Sequence, residues 1–87
     1  MPYESYAESV RAVVVEHGIE VVSLDRLKEL VLVHRQKADL LRPDDFEFMT
    51  GSTTDRKWEH RTRSALIELR RSGECTLIDR AKYRFFL

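Results

Sequence analysis

The sequence predicts an α+β fold, three helices closed by a two-stranded hairpin, and three observations carry that reading. Apolar residues recur at spacings of three and four in three separate stretches, the repeat of a helix with one buried face. Glycine follows two of those stretches, at Gly18 and Gly73, where a left-handed residue ends a helix without steric cost. After Gly73 come two short runs rich in β-branched and aromatic residues, separated by a polar turn. With 87 residues, 43 % of them apolar and 34 % charged, the chain is sized for a single domain over 1–87 with a core of its own.

The first helix is expected over about 3–17. Tyr3, Tyr6, Ala7, Val10, Val13 and Val14 share one face, Pro2 suits a first helical turn, and Gly18 supplies the stop. The β-branched run Val13-Val14-Val15 is the one feature that a short strand would also use. A brief extended piece, Glu20-Val21-Val22-Ser23, then leads to a cap at Ser23 or Asp25 and a second helix over about 24–34, marked by Leu24, Leu27, Leu30 and Val31.

Residues 34–55 show no long periodicity, yet a structureless loop of that length is unusual in a small domain. Pro43-Asp44-Asp45 reads as the first turn of a short helix near 43–49, with proline at its start and acids facing the helix dipole. Leu40, Leu41, Phe46, Phe48 and Met49 are the expected apolar anchors of this segment, and Thr50-Gly51-Ser52-Thr53-Thr54 is a polar loop. Thr54 or Asp55 is expected to cap a third helix over about 55–72. Mapped at about 100° per residue, that helix puts Trp58, Thr62, Ala65, Leu66 and Leu69 toward the core. Its opposite side holds Arg56, Lys57, His60, Arg63, Ser64, Ile67 and Arg71. The hairpin strands are expected at about 75–79 and 83–87, joined by the turn Asp79-Arg80-Ala81-Lys82.

Several function classes find no support. No apolar run approaches the roughly 18 residues of a membrane span, and the start MPYESY lacks the basic and apolar regions of a signal peptide. A cytoplasmic location with no membrane partner is the expectation. Cys75 is alone, so no internal disulfide forms, and it is expected as a small strand residue. His17, His34 and His60 are too dispersed for a zinc spacing, so neither metal nor cofactor is expected. Asp44, Asp45 and Glu47 resemble a nuclease metal set only superficially, because no strand with an E-x-K pattern follows them. With no nucleophile elbow and no glycine-rich phosphate loop, an enzyme is not expected.

Charge supplies the positive evidence. Nine of the fifteen Lys and Arg residues lie between Arg56 and Arg84 against four acids, so that third of the chain is net +5 while 1–55 is net −5. The formal net charge of zero conceals this polarity, which suggests a nucleic-acid contact. Helix, helix, basic helix, hairpin is the order of a winged helix-turn-helix, in which the third helix enters the DNA major groove and the hairpin lies against the backbone. The pattern Trp58-x-x-Arg61-x-x-x-Ala65-x-x-x-Leu69-x-x-x-Gly73, followed by Tyr83-Arg84-Phe85, resembles the small winged-helix modules appended to restriction endonucleases. Examples of those modules are the amino-terminal domain of Mrr-type enzymes and the adenine-methylation-reading domain of methyl-directed nucleases. The resemblance covers about the last thirty residues. It implies a non-enzymatic module that binds double-stranded DNA, reads N6-methyladenine, and serves a nuclease domain of a larger protein. The segment 34–55 departs from it, standing where those relatives have a tight turn between the second and third helices.

The expected DNA-binding residues are Arg56, Lys57, Trp58, His60, Arg61, Arg63, Ser64, Ile67 and Arg71 on the helix, with Arg80 and Lys82 at the hairpin tip. Trp58 lies between two roles, core packing and contact with a base edge or methyl group. Arg61, at the edge of the buried side, suits a phosphate contact and an internal ion pair equally. Trp58, Phe46, Phe48 and Ile67 are the apolar side chains available for a methyl group. The other reading of the same fold is a protein-interaction winged helix or small transcriptional regulator, with the hairpin and the acidic half serving a partner.

Overall fold

In the structure, a computed structural model that describes residues 4–86, the chain forms α1 (Tyr6–His17), β1 (Val21–Ser23), α2 (Leu24–Lys37), a short 3-10 turn (Pro43–Phe46), α3 (Lys57–Arg71), β2 (Cys75–Asp79) and β3 (Lys82–Phe85). This is the α+β, winged-helix arrangement expected from the pattern, with one addition. The hairpin is part of a three-stranded antiparallel sheet in the order β1-β3-β2, because Val21, Val22 and Ser23 pair with Arg84, Tyr83 and Lys82. The piece expected only to be extended is therefore the second edge of the sheet.

The helix starts follow local chemistry. Ser5 and Ser23 accept hydrogen bonds from the amides of Glu8 and Arg26 at 3.1 and 3.2 Å, capping α1 and α2. The position expected for Pro2 and Tyr3 in α1 lies outside the described residues, as does Leu87 of the last strand. α3 begins differently from the expectation. Neither Thr54 nor Asp55 caps it: Arg56 is the extended residue before the helix, forming an isolated bridge with Phe48, and the Lys57 amide donates to the Glu47 carbonyl at 2.8 Å. A backbone acceptor thus serves the orphan donor that a side-chain cap would otherwise take.

All three helices close with the same pair of backbone bonds around a left-handed residue. Gly18 and Gly73 do this for α1 and α3, with φ of 59° and 80°. At the end of α2 the role falls to Asp39, φ 55°, with Asp39 N–H donating to Gln36 and Leu40 N–H to Arg35. α2 accordingly runs to Lys37, three residues beyond the expected end at 34.

The core joins Tyr6, Ala7, Val10, Val13 and Val14 of α1, Leu27 and Val31 of α2, Ala65, Leu66 and Leu69 of α3, and Val22, Cys75 and Phe85 of the sheet. Burial of this set supplies the main stabilisation, at about 1.5–3 kcal/mol for each large aliphatic side chain. The anchors of the α2–α3 connection depart from the expectation in part: Leu40, Leu41 and Met49 are half-buried, but Phe46 and Phe48 are each 43 % exposed, whereas Asp45 is 2 % exposed. Its carboxylate is compensated for that burial by the Tyr6 hydroxyl at 2.9 Å, the Arg42 amide at 2.8 Å and the Arg61 guanidinium. Arg35, 3 % exposed, stacks on the other side of the same region, 3.9 Å from the Tyr6 ring centroid, and donates to Ser9 Oγ at 2.8 Å and the Glu4 carbonyl at 3.0 Å.

Candidate nucleic-acid interface

With Thr62, Ala65, Leu66 and Leu69 committed to the core, the helical repeat leaves His60, Ser64, Ile67 and Arg71 as one exposed stripe along α3. The four recur at spacings of four, three and four, so they form a single line within reach of one flat or grooved partner. Ile67 in its middle is 48 % exposed, an apolar side chain that the domain itself does not use. Arg71 has no ion-pair partner among the described residues. Neither has Arg70, an exposed cation beside the stripe that lies outside the set expected from the sequence. The wheel puts Arg70 off the stripe's centre line, which is why a one-face reading passes over it.

The first turns of α3 are electrostatically different. Lys57 Nζ lies 3.3 Å from Glu47, Arg61 donates to Asp44 at 3.1 Å and also to Asp45, and Arg63 donates to Asp55 at 2.5 Å. Among the described residues Arg56 has no acid partner; its guanidinium stacks 4.3 Å from the Phe48 ring centroid and donates to the Phe46 carbonyl. Every cation of the helix's first half is thus held by the connection that precedes it. For Arg61 the ion pair is the arrangement observed.

Trp58 is half-buried and packs against the core cluster. Its carbonyl accepts the Thr62 hydroxyl at 2.8 Å, which satisfies the one fully buried hydroxyl of α3. The aromatic side chains that do face solvent near the start of α3 are Phe46 and Phe48.

Burial by itself would raise the Asp45 carboxyl, but the hydrogen bonds from Arg42, Tyr6 and Arg61 hold it below its ordinary value. The same burial, with the neighbouring carboxylate, pushes the Tyr6 hydroxyl well above its own. Asp45 is therefore a fixed anion, and Tyr6 a fixed donor, beneath the cationic end of α3.

The hairpin tip is tight. The turn is the expected Asp79-Arg80-Ala81-Lys82, with Asp79 paired to Lys82 and Arg80 and Ala81 as its two central residues, and Ile78 is bulged out of the ladder. Ala81 takes φ 53°, and its carbonyl accepts the Leu24 amide at 2.6 Å, so the tip is tied to the start of α2. Arg80 and Lys82 are exposed there, without an ion-pair partner among the described residues. Leu77 and Ile78 beside them are 41 % and 44 % exposed.

Comparison with protein-family models, with curated proteins and with solved structures returns no match for this chain. No helix among the described residues is long and apolar enough to cross a membrane.

Proposed function

We propose that this domain binds double-stranded DNA, with the α3 stripe against base edges and the tip cations against phosphates. The observation that carries the reading is the stripe: His60, Ser64, Ile67 and Arg71 are left exposed on the helix whose other face is core, in the order of elements of a winged helix-turn-helix. Hydrogen-bonding, apolar and cationic groups in one line suit the mixed donor, acceptor and methyl pattern of a major groove. Arg70, Arg71, Arg80 and Lys82 provide charge for the backbone without breaking an internal pair.

The test is titration of a labelled duplex by fluorescence anisotropy from about 50 to about 200 mM salt. Arg71→Ala, Arg80→Ala and Lys82→Ala are each expected to weaken binding and to flatten the logarithmic salt slope by about 0.9 for every phosphate left without its cation. A wild-type protein that ignores the duplex at the lowest salt would end this reading.

The finer proposal is a specificity module of a restriction-type nuclease that reads N6-methyladenine. It is supported by Ile67, whose exposed aliphatic surface is the apolar element of the stripe. One buried methyl is worth about 0.8 kcal/mol, so methylated duplex is expected to bind about 4-fold tighter, a preference that Ile67→Ala abolishes. Equal affinities for methylated and plain duplex would remove methyl reading while leaving DNA binding in place. A second reading, a protein-interaction winged helix or small regulator, is favoured by the region where the end of α1 meets the end of β3. There Val15 and Phe86, 69 % and 61 % exposed, flank a shallow depression with Ile19 and Phe85.

A further inference from the structure

The connection between α2 and α3 sets an acid against each of three cations in the first two turns of the helix. Glu47 faces Lys57 at 3.3 Å, Asp44 faces Arg61 at 3.1 Å and Asp55 faces Arg63 at 2.5 Å. All three cations remain open to solvent, with side chains 34 %, 39 % and 39 % exposed. They account for a third of the nine basic residues that give this part of the chain its positive balance. A carboxylate engages Lys and Arg through the same charge-assisted N–H···O bonds that a phosphate oxygen uses.

We infer that the segment Asp44–Asp55 is a built-in phosphate mimic, which occupies the cations at the start of α3 and yields them to the DNA backbone. The inference rests on the duplex-binding reading and deepens it by adding a self-contained competitor. Exposed ion pairs contribute little net free energy, so exchanging such a carboxylate for a phosphate is nearly balanced. Asp45 does not take part in the exchange. Its side chain is 3 % exposed and has the Tyr6 hydroxyl and Arg42 amide as further donors, so it anchors the segment while the outer acids are displaced. Phosphate thus gains access to Lys57, Arg63 and the Asp44-bound Nη2 of Arg61, whose Nη1 stays on Asp45, only where its own field outweighs the carboxylates, as on a duplex with one charge per about 1.7 Å.

The experiment compares the wild type with the triple variant D44N/E47Q/D55N in the anisotropy titration, over about 50 to about 200 mM salt. The triple variant is expected to bind about 3- to 10-fold tighter at the lowest salt, with a logarithmic slope steeper by about 2–3, one increment of about 0.9 for each released cation. A second triple variant, E8Q/E16Q/E29Q, makes the same change in net charge at exposed acids of α1 and α2, none of them ion-paired to a cation of α3, and is expected to leave the slope unchanged. Should the triple variant lose its fold by circular dichroism, Glu47→Gln and Asp55→Asn singly are expected to show one increment each. If the D44N/E47Q/D55N slope equals that of a wild type that binds, the inference is overturned and duplex binding stands. Equal tightening in the E8Q/E16Q/E29Q control also overturns it, since bulk charge then explains the gain. Absence of binding by every variant removes the duplex reading itself and this inference with it.

Discussion

At the residue scale, Asp45 does most to set the shape of the cationic end of α3, and it does so against its own hydropathy. A carboxylate loses several kcal/mol on burial unless donors replace water, and here the Tyr6 hydroxyl, the Arg42 amide and Arg61 do so. Hydrogen bonds to a charged group are worth about 1.5–3 kcal/mol, so Asp45→Asn is expected to cost about 2–3 kcal/mol and lower Tm by roughly 10 °C or more, measured by thermal denaturation. Arg61→Ala is likewise expected to lower Tm, whereas Arg71→Ala, which removes no internal ion pair, is expected to leave Tm within about 2 °C and act on binding alone. That contrast separates a cation that also supports the fold from one that the fold does not use. The sequence could place Arg61 and Trp58 at the border of the buried face, because angle on the helix is local. It could not show Arg61 facing Asp45, since the preference for a carboxylate anchor over Phe46 or Phe48 depends on Tyr6, which comes from a distant helix.

At the element scale, what was legible is what periodicity and glycine mark. α1 and α3 stop at Gly18 and Gly73 as expected, and Ser23 caps α2. α2 overran its expected end because its left-handed closing residue is Asp39, a type that tolerates the conformation without advertising it as glycine does. Left-handed backbone costs a non-glycine residue roughly 1–2 kcal/mol, partly offset by the greater unfolded freedom of glycine. Asp39→Gly and Ala81→Gly are therefore each expected to hold or raise stability, by up to about 1 kcal/mol, in urea denaturation. A fall of that size at Ala81 would mean that packing of its methyl outweighs the backbone strain. The connection 38–56 was the least legible stretch, since it is held by a single bridge, one buried carboxylate and ion pairs, none of which repeats with a period.

At the scale of the whole molecule, the third strand of the sheet was hidden for a topological reason. Val21–Ser23 is too short to alternate visibly, and its partner β3 lies at the far end of the chain. Two ion-paired regions tie distant parts of the chain together, and both respond to acid. Arg11 on α1 grips Glu74, at the α3–β2 junction, with both carboxylate oxygens at 2.7 and 2.9 Å. Those bonds, with one from Ser72, hold the Glu74 carboxyl down to about 2. Because its folded value is depressed, Glu74 stabilises the fold above the ordinary glutamate range, and that contribution is lost as pH falls from about 4.5 toward 2. Asp45 acts with the same sign. Stability is accordingly expected to be flat near neutrality and to fall through this acidic window, and Glu74→Gln is expected to shrink the fall. A denaturation series from pH 7 to pH 2 with both proteins checks it.

The bond from the Leu24 amide to the Ala81 carbonyl takes away the hairpin's freedom to bend. A hairpin tip with free ends would adjust its reach to whatever it met, but this one is stapled to the first residue of α2 and paired through β3 to β1. The backbone of the tip is therefore held in place against α2 and the sheet, and only the side chains of Arg80 and Lys82 are left to adjust. A partner that meets this corner has to fit the hairpin as it stands.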